Sequence, residues 1–178
     1  MKGMKDFNIP FVGLKLGSHL FKYQIDNTFF EAFNFNEYFN TRVTANATLV
    51  KKTTFIEISV QISGTVNLSC DITNIPYDQE ITGNLDLVVK FGSEYNDNDI
   101  DILILSHGAY QLNIAQYIYE LIILSVPAKR VHPKVTDGTM QSKTLDILNS
   151  SQKTVPAENA ETDPRWDMLK NLITEKNT

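Results

Sequence analysis

The stretch LNIAQYIYELIILSVP, from Leu112 to Pro127, is the longest apolar run in the chain and must be kept largely out of water. Its spacing predicts a helix. Ile114, Ile118, Leu121, Ile122 and Ser125 fall on one face, and Gln116 and Glu120 are the only strongly polar positions within the run. Asn113 is suited to cap the first turn, Gln116 to return a hydrogen bond, and Leu112 with Tyr117 to form a hydrophobic staple. Pro127 restricts Val126 and lacks the amide that a further turn would need, so the helix should stop there. A strand is the rival reading, because Ile and Tyr favour strands, but the run is long for one. A membrane span needs about 20 apolar residues; this run is shorter and holds Gln116 and Glu120, so it reads as core. Glu120 should then reach the surface or meet a donor, because an unpaired carboxylate in so apolar a setting costs several kcal/mol.

A chain of 178 residues with 42% hydrophobic content is large enough for one domain with a real core. The opening MKGMKDFNIPF has no apolar run of signal-peptide length, so the expected compartment is the cytoplasm. A single cysteine excludes an internal disulfide, and with three scattered histidines it disfavours a zinc site, so no metal or other cofactor is expected. The net charge of -5 argues against a general nucleic-acid coating protein and against DNA as a partner, while local basic patches stay open to phosphate.

Around the apolar run the pattern is that of strands. Phe7 to Leu16 and His19 to Ile25 read as two strands about Gly13 and Gly17, with Lys15 and Lys22 facing solvent. From Asp26 to Asn40 the chain packs Phe29, Phe30, Phe33, Phe35, Tyr38 and Phe39 around a short helix that Asn27 or Thr28 could cap. No basic residue interleaves these rings, so they read as core rather than as a base-stacking platform. Clean alternation at Val43, Ala45, Ala47 and Leu49, then at Ile56, Ile58, Val60 and Ile62, predicts a hairpin. Gly64 reads as a turn or bulge, beyond which Val66, Leu68 and Cys70 keep the period of two. Cys70 is therefore expected inside, inert unless a cation or helix terminus lowers its pKa. Tyr77 to Phe91 reads as another long strand, interrupted at Gly83. Short turns between these segments predict an antiparallel sheet, flat or curled toward a barrel.

The acidic SEYNDNDIDILIL carries Asp97, Asp99 and Asp101 at alternating positions, as a calcium loop does. Ile102 stands where such a loop needs glycine and Gly108 where it needs glutamate, so a solvated acidic loop is the better reading. After Pro133 the composition turns polar, predicting a flexible linker over 133–162 behind a core domain over 1–132. The last segment, 163–178, regains pattern as a tethered amphipathic helix. Asp163 is its N-cap, Pro164 its first position, and Trp166, Leu169, Leu172 and Ile173 its apolar stripe. The expected class is thus α+β, an antiparallel sheet with one buried central helix and that C-terminal helix. No phosphate-cradling loop, nucleophile motif, histidine pair or cysteine pair emerges, so an enzyme is disfavoured.

Two stretches together resemble the YceD family, bacterial and plastid proteins linked to accumulation of large-subunit ribosomal RNA. In the first, an acidic strand precedes an apolar helix in which Glu120, Leu121, Leu124, Pro127 and His132 fill the family pattern. In the second, DPRWDMLKNL matches the closing motif through Asp163, Pro164, Arg165, Trp166, Leu169 and Leu172. Where relatives often carry Cys-x-x-Cys, this chain keeps Cys70 and has Thr73. The second cysteine group that many of them carry is missing between helix and tail, so the resemblance implies the role without a metal.

What it implies is a non-catalytic factor in large-subunit ribosomal RNA accumulation or ribosome assembly. Its partner would be ribosomal RNA, a large-subunit precursor, or a ribosomal or assembly protein. Lys129, Arg130, His132 and Lys134, just past the apolar run, are the candidate RNA contacts, and Asp163, Pro164, Arg165, Trp166, Leu169 and Leu172 the candidate partner-docking residues. A protein-interaction adaptor that never touches RNA is the alternative, favoured by the acidic net charge.

Overall fold

The computed structural model describes residues 4–99, 101–141 and 143–152. After a 3-10 turn at Met4–Phe7, strands β1 (Asn8–Pro10) and β2 (Gly17–Ile25) lead into helix α1 (Asn27–Glu31). Strands β3 (Thr41–Lys51), β4 (Phe55–Ser69), β5 (Pro76–Gly92), β6 (Ile102–Ser106) and β7 (Gln111–Asn113) follow, then helices α2 (Ala115–Ser125), α3 (Pro133–Thr136) and α4 (Lys143–Gln152). The class is α+β. The main sheet runs β2-β3-β4-β5-β6 in order, and β1 pairs with β7 apart from it. It is an open sheet, so the barrel-like form considered from sequence is not adopted among the described residues.

The predicted hairpin is present, and its alternation is the cause of its register. Val43, Ala45, Ala47 and Leu49 of β3 and Ile56, Ile58, Val60 and Ile62 of β4 are buried on one face, with Ala45 opposite Ile62 and Leu49 opposite Ile58. A one-residue slip would turn this whole set to solvent. The opposite face, with Thr44, Ser59, Asn84 and Asp86 among its residues, carries polar side chains.

Two glycines expected to interrupt strands lie inside unbroken ones. Gly64 pairs with Val43 in continuous register, at φ +157°, and a Cβ there would stand 2.1 Å from the Arg42 carbonyl oxygen. Gly83 pairs with Ile62, and a Cβ there would stand 2.4 Å from Ser125 Oγ and 3.1 Å from Leu121 Cδ1. Each marks a close approach rather than a turn, of a neighbouring strand at Gly64 and of helix α2 at Gly83.

The expectation of a wholly antiparallel sheet is not met, because β6 pairs parallel to β5, with Val89 opposite Leu103. A long crossover is avoided by doubling back. After Gly92 the chain passes to the outer side of β6, where Asn96 and Ile104 exchange backbone hydrogen bonds antiparallel at 2.9 and 2.7 Å, and then enters β6 itself.

The apolar run from Leu112 to Pro127 divides between two elements. Leu112 and Asn113 belong to β7, opposite Ile9 and Asn8, and the helix begins only at Ala115. Asn113 still serves the helix start, its Oδ1 accepting from the Ala115 amide at 3.0 Å, while its Nδ2 donates to Met4 O at 2.8 Å and to Asn8 Oδ1 at 2.6 Å. Gln116 donates instead to Glu120 Oε1 at 2.9 Å, and Glu120 is exposed, as expected. Ile118 and Ile122 are fully buried but Leu124 is 82% exposed, so α2 buries one face, not its whole circumference. Val126 caps it in extended conformation just before Pro127.

Most of the aromatic run packs in the core, as predicted, but Phe39 is 60% exposed. Phe29, Phe30 and Tyr38 are buried, and the Phe33 ring stacks on Tyr119 of α2 at 4.3 Å. Asp26, rather than Asn27 or Thr28, caps α1, accepting from the Thr28 amide at 3.0 Å. Of the first predicted strand only Asn8–Pro10 forms; residues 11–16 make a loop stapled by Lys51. The Lys51 ammonium donates to the carbonyls of Phe11 and Leu14 at 2.9 Å each, with Val12 O at 3.4 Å. Lys51→Met should therefore lower stability by about 2 kcal/mol, the scale of hydrogen bonds from a charged donor. Hydrogen exchange would read it as faster exchange at the Leu14 amide, which now donates to Phe11 O at 3.3 Å, beyond the rise that β4 and β5 share through the global loss.

The span read as a linker carries α3 and α4 in its first part. The predicted 163–178 helix lies outside the described residues.

Candidate functional site

The basic cluster follows directly from the end of α2. Pro127 stops the helix, and the chain crosses to the turn after β4, where the main chain of Arg130 and His132 finds partners. Asp71 N donates to Arg130 O at 2.8 Å, and Arg130 N donates back to Asp71 Oδ2 at 2.8 Å. His132 N then donates to Cys70 Sγ at 3.3 Å, and His132 Nδ1 accepts from the Lys134 amide at 3.0 Å, capping α3. The His132 ring lies 5.3 Å from that of Tyr77.

This clasp sorts the four predicted RNA contacts. Arg130 Nη1 meets Glu37 Oε2 at 3.2 Å, so its charge already has an exposed partner. His132 is half-buried and occupied as a cap. Lys129 and Lys134 are exposed, and neither takes part in an ion pair among the described residues. A phosphate contact would thus fall to these two lysines, which act as point charges and read no sequence. The docking candidates Asp163, Pro164, Arg165, Trp166, Leu169 and Leu172 lie outside the described residues.

Cys70 is buried, as its place in the alternation predicted. Burial pushes its thiol pKa up, but the Thr73 side chain and the backbone amides of His132, Thr73 and Ile72 favour the thiolate and leave it below its ordinary value. The Thr73 side chain and these amides, rather than a cation or helix terminus, supply the effect. Tyr38, beside the clasp, is pushed up to about 12 by burial, with Arg130 pulling the other way and Glu37 adding to the rise.

Sequence reasoning missed the partners of the cluster, Glu37 and Asp71, since both come from loops remote in the chain. It also missed a cavity of about 410 Å³ between the first turns of α2, strands β6 and β7, and the loop carrying Tyr95, Asp97 and Asp99. The only signal for it was the acidic run itself. Among the described residues no helix is long and apolar enough to cross a membrane.

The fold and clasp define an α+β domain with an open five-stranded sheet, a half-buried helix and a tied basic loop at the end of that helix. The chain belongs to the YceD family: the model described as "Large ribosomal RNA subunit accumulation protein YceD" matches residues 58–173, more than half of its length. No curated protein and no solved structure matches it.

Proposed function

We propose that this protein is a non-catalytic factor in the accumulation of large-subunit ribosomal RNA, acting in ribosome assembly through RNA or a ribosomal protein. The observation that carries this reading is the family match over residues 58–173, a family described by accumulation of that RNA. The exposed Lys129 and Lys134 agree with a local, sequence-independent contact to phosphate. Depleting the protein from cells should lower mature large-subunit RNA relative to small-subunit RNA and shift precursor particles in a gradient. Unchanged RNA and unchanged subunit profiles would count against the role.

A protein-interaction adaptor without RNA contact is the second reading, favoured by the engagement of Arg130 with Glu37 and by the net charge of -5. Salt separates the two. Phosphate contacts release counterions, so with two lysines engaged the logarithm of RNA affinity should fall against the logarithm of salt with a slope near -1 to -2. Lys129→Gln with Lys134→Gln should flatten that slope. An apolar contact with a protein partner should respond little to salt.

A further inference from the structure

The cavity beside the start of α2 is the feature that the role in RNA accumulation does not use. It measures about 410 Å³, room for one long side chain and part of its backbone. Its floor is apolar, made by Leu103, Leu105 and Leu112, all buried. Tyr95 and Tyr117 line it as well, and Tyr95 is 58% exposed, a large ring held open to solvent. Asp97, Asp99 and Glu120 also line it, and no lysine or arginine does.

Among the described residues these carboxylates have no ion-pair partner. Asp97 accepts from the Tyr95 hydroxyl at 2.8 Å and Glu120 from Gln116 at 2.9 Å, which leaves each with acceptor capacity to spare. Their fields converge on one ring, because the Tyr117 hydroxyl is pushed up first by burial and then by the charges of Asp97 and Glu120. A bare metal ion is a poor occupant. Among the described residues no His, Cys, Asp and Glu side chains gather closely enough to hold one, and the leucine floor offers an ion nothing.

The complement of this lining is a cation on a long apolar stem with a planar head. We propose that the cavity receives an arginine side chain from a basic segment of a partner protein. The methylene stem lies on the leucine floor, the guanidinium meets a tyrosine face, and its remaining donors reach the carboxylates. Nucleic acid is repelled by the same rim. The proposal rests on the cavity and stands whether or not the protein also touches RNA.

The test uses the full chain and a fluorescein-labelled peptide of alternating arginine and glycine, followed by anisotropy at moderate salt. Asp97→Asn with Asp99→Asn should weaken binding about tenfold, the order lost when charge-assisted hydrogen bonds become neutral ones. Asp78→Asn with Glu80→Gln makes the same change of net charge on the outward sheet face, away from the cavity, and should weaken binding less than about twofold. Amide shifts in nuclear magnetic resonance spectra should gather at residues 95–99 and 111–120. Equal weakening by the two double variants, or shifts spread elsewhere, would reduce the effect to net charge and overturn the site. Spermidine displacing the labelled peptide at lower concentration than unlabelled peptide does would assign the cavity to a small polyamine and equally overturn the proposal.

Discussion

Ile118→Asp is expected to leave no cooperative thermal transition and to drive the protein into the insoluble fraction. Ile118 is fully buried near the middle of α2. A carboxylate placed there has to lose its hydration without a partner, a penalty of several kcal/mol against a total stability of roughly 5–15 kcal/mol. The neighbouring turn supplies the control. Leu124 is 82% exposed on the same helix, so Leu124→Asp should change stability by no more than about 0.5 kcal/mol. Circular dichroism melts of the two variants distinguish a half-buried helix from one buried all round. Equal loss in both would mean that α2 is covered on its outer side, and a folded Ile118→Asp protein would remove it from the core.

The second large effect is expected at Gly64. A methyl group there meets the Arg42 carbonyl oxygen at 2.1 Å and Val43 Cα at 2.6 Å, and both are main-chain atoms of the paired strand. Neither can swing aside as a side chain would. Gly64→Ala therefore forces β3 and β4 apart near one end of their register, where Gly64 faces Val43, on a backbone of positive φ that alanine resists. The two terms together suggest a loss of about 3 kcal/mol or more, and a melting temperature lower by roughly 10 °C. At Gly83 the obstacles are the Ser125 hydroxyl and a Leu121 methyl, which belong to side chains. Gly83→Ala should cost less, and much of that loss should be recovered by Ser125→Ala. The rescue, measured as a double-mutant cycle, would establish that α2 sits on β5 at this point.

What could be read in advance follows the range of the forces. The alternation in β3 and β4 reports a face that is buried residue by residue, so strand, face and hairpin were legible. Pro127 ends a helix by its own covalent structure, and that boundary was legible too. The beginning of the helix was not, because Leu112 and Asn113 are drawn into β7 by a partner strand more than a hundred residues earlier in the chain. Glycine in a strand has two meanings, turn or close approach, and only the opposing element separates them. The parallel pairing of β6 escaped for a similar reason, since the doubling back at Asn96 leaves no mark in hydrophobic spacing. For the basic cluster, residue type pointed to four phosphate ligands. The carboxylates of Glu37 and Asp71 and the thiol of Cys70, supplied by other loops, leave two of them exposed and outside the ion pairs of the described residues, Lys129 and Lys134.

The pairing of β1 with β7 governs the order in which a nascent chain can finish folding. Ile9 is fully buried, yet the strand opposite it, Gln111–Asn113, is synthesised about a hundred residues later. Until then Phe7, Ile9 and Phe11 have no native cover from that side. The β3–β4 hairpin and β5 close through neighbouring segments and can assemble first, whereas the amino-terminal strand has to wait. A growing chain of this protein therefore carries an unsatisfied apolar segment at Phe7, Ile9 and Phe11 until the leading end of α2 emerges, and any chaperone that attends it should be found there.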